Sequence, residues 1–237
     1  MTENTADELD ALDLQNALLH AAMVAENSNL LKKAEDAGLQ EEVKKAEKTS
    51  LSFTMTDRKS FDWNQGVLKI KQKNGSFRTQ ITMRPGYEYY LRFRGLKIKK
   101  SEKNALWANV TMGDLVREFM ISDETYDFHL DRDNYMVTLG SVTEKQTKEL
   151  RFRMNGPAVY TLQDIEIVEV SMENYHESVQ DLMQNPMTEV KKLRNGISGT
   201  VTNKEDGILC LAVPYCRGYC LTVDGKETEI QEINKMY

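Results

Sequence analysis

Eleven basic residues crowd into positions 69–103 against two acids, Glu88 and Glu102, although the 237-residue chain carries a formal charge of −6. Lys69, Lys71 and Lys73 alternate with Leu68 and Ile70, and Arg92 and Arg94 alternate with Leu91 and Phe93. In extended strands this two-residue period puts the cations on one face. Two readings follow. One is the solvated side of a one-sided antiparallel sheet. The other is a surface for phosphate-rich polymers or anionic lipid headgroups, since clustered Lys and Arg raise the local anion concentration and Arg grips phosphate with two donors. Nucleic acid is not expected, because the chain is acidic overall and has no recognisable nucleic-acid motif. Within and beside this window stand Trp63, Tyr87, Tyr89, Tyr90 and Trp107. Exposed on one face they would stack on sugar rings, and buried they would fill a sandwich core. Trp107 is the first to test for sugar binding.

Other chemistry-bearing groups are less organised. Asp123, Glu124, Asp127, Asp131 and Asp133 gather in a loop-like stretch. Asp127, Asp131 and Asp133 are the candidate calcium ligands there, but the spacing lacks the central Gly and terminal Glu of an EF-hand. A solvated acidic loop is the ordinary alternative. The cysteines, Cys210, Cys216 and Cys220, are spaced C-x5-C-x3-C with no His nearby, a poor match to a zinc site built from paired ligands. A Cys216–Cys220 bridge is sterically conceivable, while burial as small hydrophobes is the ordinary fate of free thiols. His20, His129 and His176 are far apart and none accompanies a nucleophile motif. No catalytic residue and no cofactor is expected.

The elements that must position these residues change character along the chain. Residues 7–25 have Leu and Met at helical spacing, predicting an amphipathic helix, and 30–48 alternate charges among Ala and Leu, predicting a second, exposed helix interrupted at Gly38. After Ser50 the period becomes two, predicting strands at 51–55, 67–72, 77–83, 87–96, 107–112, 116–121, 136–142, 150–154 and 162–170. Breaks are expected at Asn74-Gly75, Pro85-Gly86 and Asn155-Gly156-Pro157. The fold expected is mainly β, an antiparallel sandwich of jelly-roll, carbohydrate-binding-module type, with N-terminal helices and a second, smaller β region. Residues 172–185 return to helical spacing and end at Asn185-Pro186. Strands are then predicted at 190–194, 196–202, 208–213, 219–223 and 228–233. The expected division is a helical segment 1–48, a sandwich 49–171, a helical connector 172–187 and a β domain 188–237 that stops short of a full set of strands. No run of about 18 apolar residues is present, so no segment is expected to span a bilayer, and the acidic start is unlike a signal peptide.

Within 207–226 two alternating runs flank a tight connection and end on Asp224-Gly225, a pair suited to a two-residue turn. Pro214-Tyr215, Gly218-Tyr219 and Asp224-Gly225-Lys226 resemble the C-terminal extracytoplasmic part of the YfhO-type family of bacterial membrane proteins. Residues 13–19, with Gln15-Asn16-Ala17-Leu18, resemble the short helix that begins the family's ectodomain. Residues 160–175 resemble the strand and helix joining its two β regions. The family usually has Trp where this chain has Tyr219, and continues beyond the position of Tyr237 through another strand to a final transmembrane helix. The resemblance therefore implies an excised outer part whose partner is its own transmembrane region, placed on the extracytoplasmic face of the bacterial membrane. It also implies a glycosyltransferase-like parent that modifies cell-envelope polymers such as lipoteichoic acid, with any catalytic carboxylates in membrane-proximal loops outside this chain. The chain itself would be a non-catalytic domain touching a glycan or teichoic polymer. A secreted glycan-active enzyme and a purely structural scaffold remain the alternatives.

Overall fold

The structure is a computed structural model describing residues 1–36, 43–130, 132–202, 209–211 and 213–234, with Glu35 described by its backbone alone. The described chain forms two compact units, one of residues 47–173 and one of 1–46 with 174–237.

The first unit is all β. Its strands are β1 (Lys48–Leu51), β2 (Thr56–Lys59), β3 (Asp62–Asn64), β4 (Val67–Ile70), β5 (Asn74–Met83) and β6 (Tyr87–Arg94). They continue with β7 (Lys97–Ser101), β8 (Ala105–Met112), β9 (Leu115–Ser122), β10 (Tyr135–Ser141), β11 (Gln146–Asn155), β12 (Ala158–Thr161) and β13 (Asp164–Ser171). Three antiparallel sheets result, ordered β1-β13-β6-β10, β2-β5-β11-β8-β9 and β3-β4-β12-β7. Four pairings nest inside one another along the chain: β1 with β13, β5 with β11, β6 with β10 and β8 with β9. The chain thus doubles back once as a long ribbon and the ribbon folds over on itself.

Alternation fills the core. Along β5 and from Leu150 to Met154 of β11 every second residue is buried, and Phe77 and Phe152 meet with ring centroids 5.4 Å apart. Phe152 also packs against Phe93 of β6 at 4.8 Å, and Phe119 of β9 stacks on Tyr135 of β10 at 5.0 Å. These contacts join the first two sheets face to face, as the expected antiparallel sandwich requires. The third sheet adds Leu68, Ile70 and Tyr160 to the same core.

Four strands lie outside the predicted set. β2, β3 and β12 are four residues or fewer, and β7 reads Lys-Ile-Lys-Lys-Ser, too polar to show an apolar period. The break expected at Asn74-Gly75 is replaced by the start of β5. Gly75 is buried there because Ile70 and the Ser60 carbonyl come within touching distance of where a Cβ would stand. A Cβ at Gly156 would meet the same Ile70 side chain and the Gln72 carbonyl. The Pro85-Gly86 break does form a turn, with Gly86 at φ +84, a region open to glycine at little cost.

The second unit begins with α1 (Glu3–Asp7), α2 (Ala11–Ala17) and α3 (Asn29–Asp36). The single helix expected over 7–25 is divided because the Asp10 carboxylate accepts from the backbone N–H groups of Leu12 and Asp13, starting a new helix at Ala11. Helix is absent from residues 43–47, and Gly38 lies outside the described residues. Met1, Ala6, Ala17 and Met23 form a small core. Asn234 closes on it: its side-chain oxygen accepts from the Met23 N–H at 2.8 Å and its own N–H donates to the Met23 carbonyl at 2.8 Å. α4 (Tyr175–Leu182) falls within the predicted 172–185, and β14 (Thr188–Leu193) pairs with β15 (Gly196–Thr200).

β16 (Leu221–Val223) and β17 (Lys226–Thr228) are joined by Asp224 and Gly225 at φ 49 and 77, the two-residue turn the dipeptide predicts. The strand expected over 208–213 is not formed at 209–211 or 213, and Ile208 and Ala212 lie outside the described residues. Cys210, Cys216 and Cys220 are free and exposed. This corrects the expectation that they fill a core, and no Cys216–Cys220 bridge is present.

Candidate functional site

The outer face of the five-stranded sheet holds the site of most interest. Side chains of β8 alternate so that Leu106, Ala108 and Val110 enter the core while Trp107, Asn109 and Thr111 face outward. Trp107 is 52% exposed. It stands opposite Met120 of β9, with Asn109 next along the strand opposite Glu118 on one side and Arg153 of β11 on the other. Asn109 donates to the Glu118 carboxylate at 3.0 Å. Arg153 is exposed and, among the described residues, has no carboxylate partner. The face continues across Ser76 and Arg78 of β5, where Arg78 pairs with Asp57 at 3.0 Å and with Glu149 at 3.5 Å.

The other aromatic candidates do not join Trp107. Tyr89 and Tyr90 are buried. Trp63 is half-buried, with its indole N–H donating to the Leu162 carbonyl at 2.8 Å. Tyr87 lies under the Arg84 guanidinium at 4.0 Å. Arg84 reaches the buried Glu169 carboxylate at 2.7 Å, and the Tyr89 hydroxyl donates to Glu169 at 3.1 Å. Burial pushes the Tyr89 hydroxyl up from its ordinary value.

The structure separates the basic stripe into two parts. Lys69, Lys71 and Lys73 belong to β4 and the segment after it, in the third sheet, and all are exposed. Arg92 and Arg94 belong to β6, in the four-stranded sheet, and both are held by Glu166 of β13, at 2.6 and 3.1 Å. The lysines that share a sheet with Lys69 are Lys97, Lys99 and Lys100 of β7. The two-residue period could not assign them, because a register shift interrupts β7.

In the acidic loop, Asp127 is exposed, Asp133 pairs with Lys97 at 3.9 Å, and Asp131 lies outside the described residues. Asp123 accepts from the backbone and hydroxyl of Thr125 at 2.9 and 2.6 Å. Among the described residues no three His, Cys, Asp or Glu side chains gather at metal-binding distance. His129 Nδ1 lies 3.0 Å from the Ser122 hydroxyl, fastening the loop to the end of β9. Asn109, Glu118 and Arg153 had no sequence signal beyond the alternation of their strands. Only the pairing register brings them beside Trp107.

No helix among the described residues is long and apolar enough to cross a membrane. Solved structures sharing general likeness with the chain include a toxin, an esterase and a carbohydrate-bound module. The mosquito-larvicidal Cry4Aa toxin from Bacillus thuringiensis is 15% identical with a TM-score of 0.27, covering 44% of this chain and 18% of the toxin. A two-domain esterase active on acetylated mannans, solved with mannopentaose, is 9% identical with a TM-score of 0.32, over 60% of this chain and 42% of the esterase. TmCBM61, solved with β-1,4-galactotriose, is 11% identical with a TM-score of 0.25, over 49% of this chain and 86% of that one. The chain thus spans less than half the length of the toxin and of the esterase. No curated protein matches the sequence. The family model described as bacterial membrane protein YfhO matches residues 1–237, from end to end, and the chain belongs to that family.

Proposed function

We propose that this chain is a non-catalytic, extracytoplasmic part of a multi-spanning YfhO-family protein, and that it holds a cell-envelope glycan on the outer face of β8, β9 and β11. The observation that carries this reading is Trp107, exposed on a rigid strand beside Asn109, Glu118 and Arg153. An indole face matches the C–H face of a sugar ring, and it is the amphipathic aromatic surface best suited to a ligand with one apolar and one polar side. The Asn109–Glu118 pair and the Arg153 guanidinium offer donors and acceptors to ring hydroxyls or to an anionic substituent. The β-sandwich supplies rigidity, since Leu106, Ala108 and Val110 on the same strand are locked in the core. A parent activity of glycosylating envelope polymers, lipoteichoic acid among them, would use this face to position the acceptor. Titration with envelope glycans tests the reading: sugar binding changes the fluorescence of Trp107, because Trp63 is half-buried and tied to Leu162. Absence of any response across envelope glycans and teichoic polymers overturns it.

A further inference from the structure

We infer that the outer face of the β3-β4-β12-β7 sheet is a docking surface for the anionic phospholipid headgroups of a membrane. This surface is independent of Trp107, which lies on another sheet.

The register assembles the face. Lys69 and Lys100 both stand opposite Val159, one on each side of β12, and Lys97 stands opposite Thr161. Lys71 follows Lys69 two residues on, and Lys99 is the extra residue at the register shift in β7. The five lysines are exposed. Among the described residues, Asp62 stands opposite Lys69 and 3.8 Å from Lys71, and Asp133 lies 3.9 Å from Lys97. Among the described residues, Lys69, Lys99 and Lys100 have no ion-pair partner.

The opposite side of the same sheet is fixed, with Leu68, Ile70 and Tyr160 in the core and Trp63 bonded to Leu162. A rigid sheet four strands wide spans about 15 Å and presents a plane rather than a groove. Mobile ammonium groups on flexible stems suit a plane of phosphates better than one fixed phosphate, which would call for the bidentate geometry of Arg. The arginines of the basic window are instead tied to carboxylates, Arg92 and Arg94 to Glu166, Arg84 to Glu169 and Arg78 to Asp57 and Glu149. The family is one of membrane proteins, so an extended anionic plane belongs to the setting of the chain.

Vesicle flotation tests the assignment with the whole chain. Binding is expected to phosphatidylcholine vesicles containing phosphatidylglycerol, weakening with salt, and not to phosphatidylcholine alone. Replacing Lys69→Gln and Lys100→Gln together should reduce partitioning at least about tenfold, with an unchanged thermal melt because both side chains project into solvent. Trp107→Ala should leave flotation intact, so failure of the glycan reading and failure of this one are separable. No flotation with anionic vesicles, an unchanged double variant, or equal affinity per phosphate for a soluble glycerol-phosphate polymer overturns the proposal.

Discussion

Arg92 of β6 stands directly opposite Glu166 of β13, and its guanidinium lies 2.6 Å from the carboxylate with both side chains largely buried, 12% and 18% exposed. Arg94 reaches the same oxygen at 3.1 Å, and the Ser50 hydroxyl donates to the other at 3.3 Å. Glu166 therefore collects the charge of two arginines that a strand pattern places among surface cations. Glu166→Ala should destabilise the β unit by about 2 kcal/mol, since it leaves two cations without this shared acceptor in a partly dry setting. A urea midpoint within error of the parent would show the pairs to be idle.

Ile70 is wedged against Gly75 and Gly156, and a Cβ at either position would strike it. Gly75→Ala and Gly156→Ala should each cost about 1–3 kcal/mol through overpacking. Gly86→Ala, with open space around it but φ +84, should cost about 1 kcal/mol through backbone strain alone. Combining Gly75→Ala with Ile70→Val tests the cause: the loss should be partly rescued, while the same Val change should not rescue Gly86→Ala.

Burial holds the Tyr89, Tyr135 and Tyr160 hydroxyls above their ordinary value. Each must stay protonated in the folded unit, so the stabilisation is complete below the unfolded value of about 10 and is lost as pH rises beyond it. Denaturant stability should therefore be insensitive to these groups at neutral pH and fall on the alkaline side. Tyr160→Phe should make that fall shallower, at a neutral-pH cost of about 1 kcal/mol for the hydroxyl's bond to the Asn155 carbonyl at 2.7 Å. An unchanged alkaline slope would contradict the assignment of Tyr160.

Trp107 and Phe152 should behave oppositely. Trp107→Ala removes an exposed side chain and should shift stability by no more than about 0.5 kcal/mol while abolishing a sugar response. Phe152→Ala empties the contact between the two main sheets and should cost about 3–5 kcal/mol. A large loss of stability in Trp107→Ala would reassign that indole to structure.

Asn234 ties residues near both chain ends, with bonds in both directions to Met23. Its φ of 55 also suits Asn better than most residues. Asn234→Ala should lose about 1 kcal/mol from the second unit and speed hydrogen exchange at the Met23 amide. Unaltered exchange there would show the tie to be dispensable.

What the sequence determined by itself was local. The alternation of Phe77 through Met83 and of Leu150 through Met154 marks strands because each must send every second side chain into a core. Asp224-Gly225 marks a turn because few other pairs accept two positive φ values. The family is legible for a related reason, since turn residues such as Pro214, Gly218 and Gly225 leave a pattern that survives without knowledge of the fold. Only tertiary structure decided which charges remain available. Arg92 and Lys69 have the same strand pattern, yet Glu166 lies across from one, whereas Val159 and the exposed Asp62 flank the other. Pairing register is set by contacts between distant segments, so no count along the chain could separate an arginine held in an ion pair from a lysine left facing water.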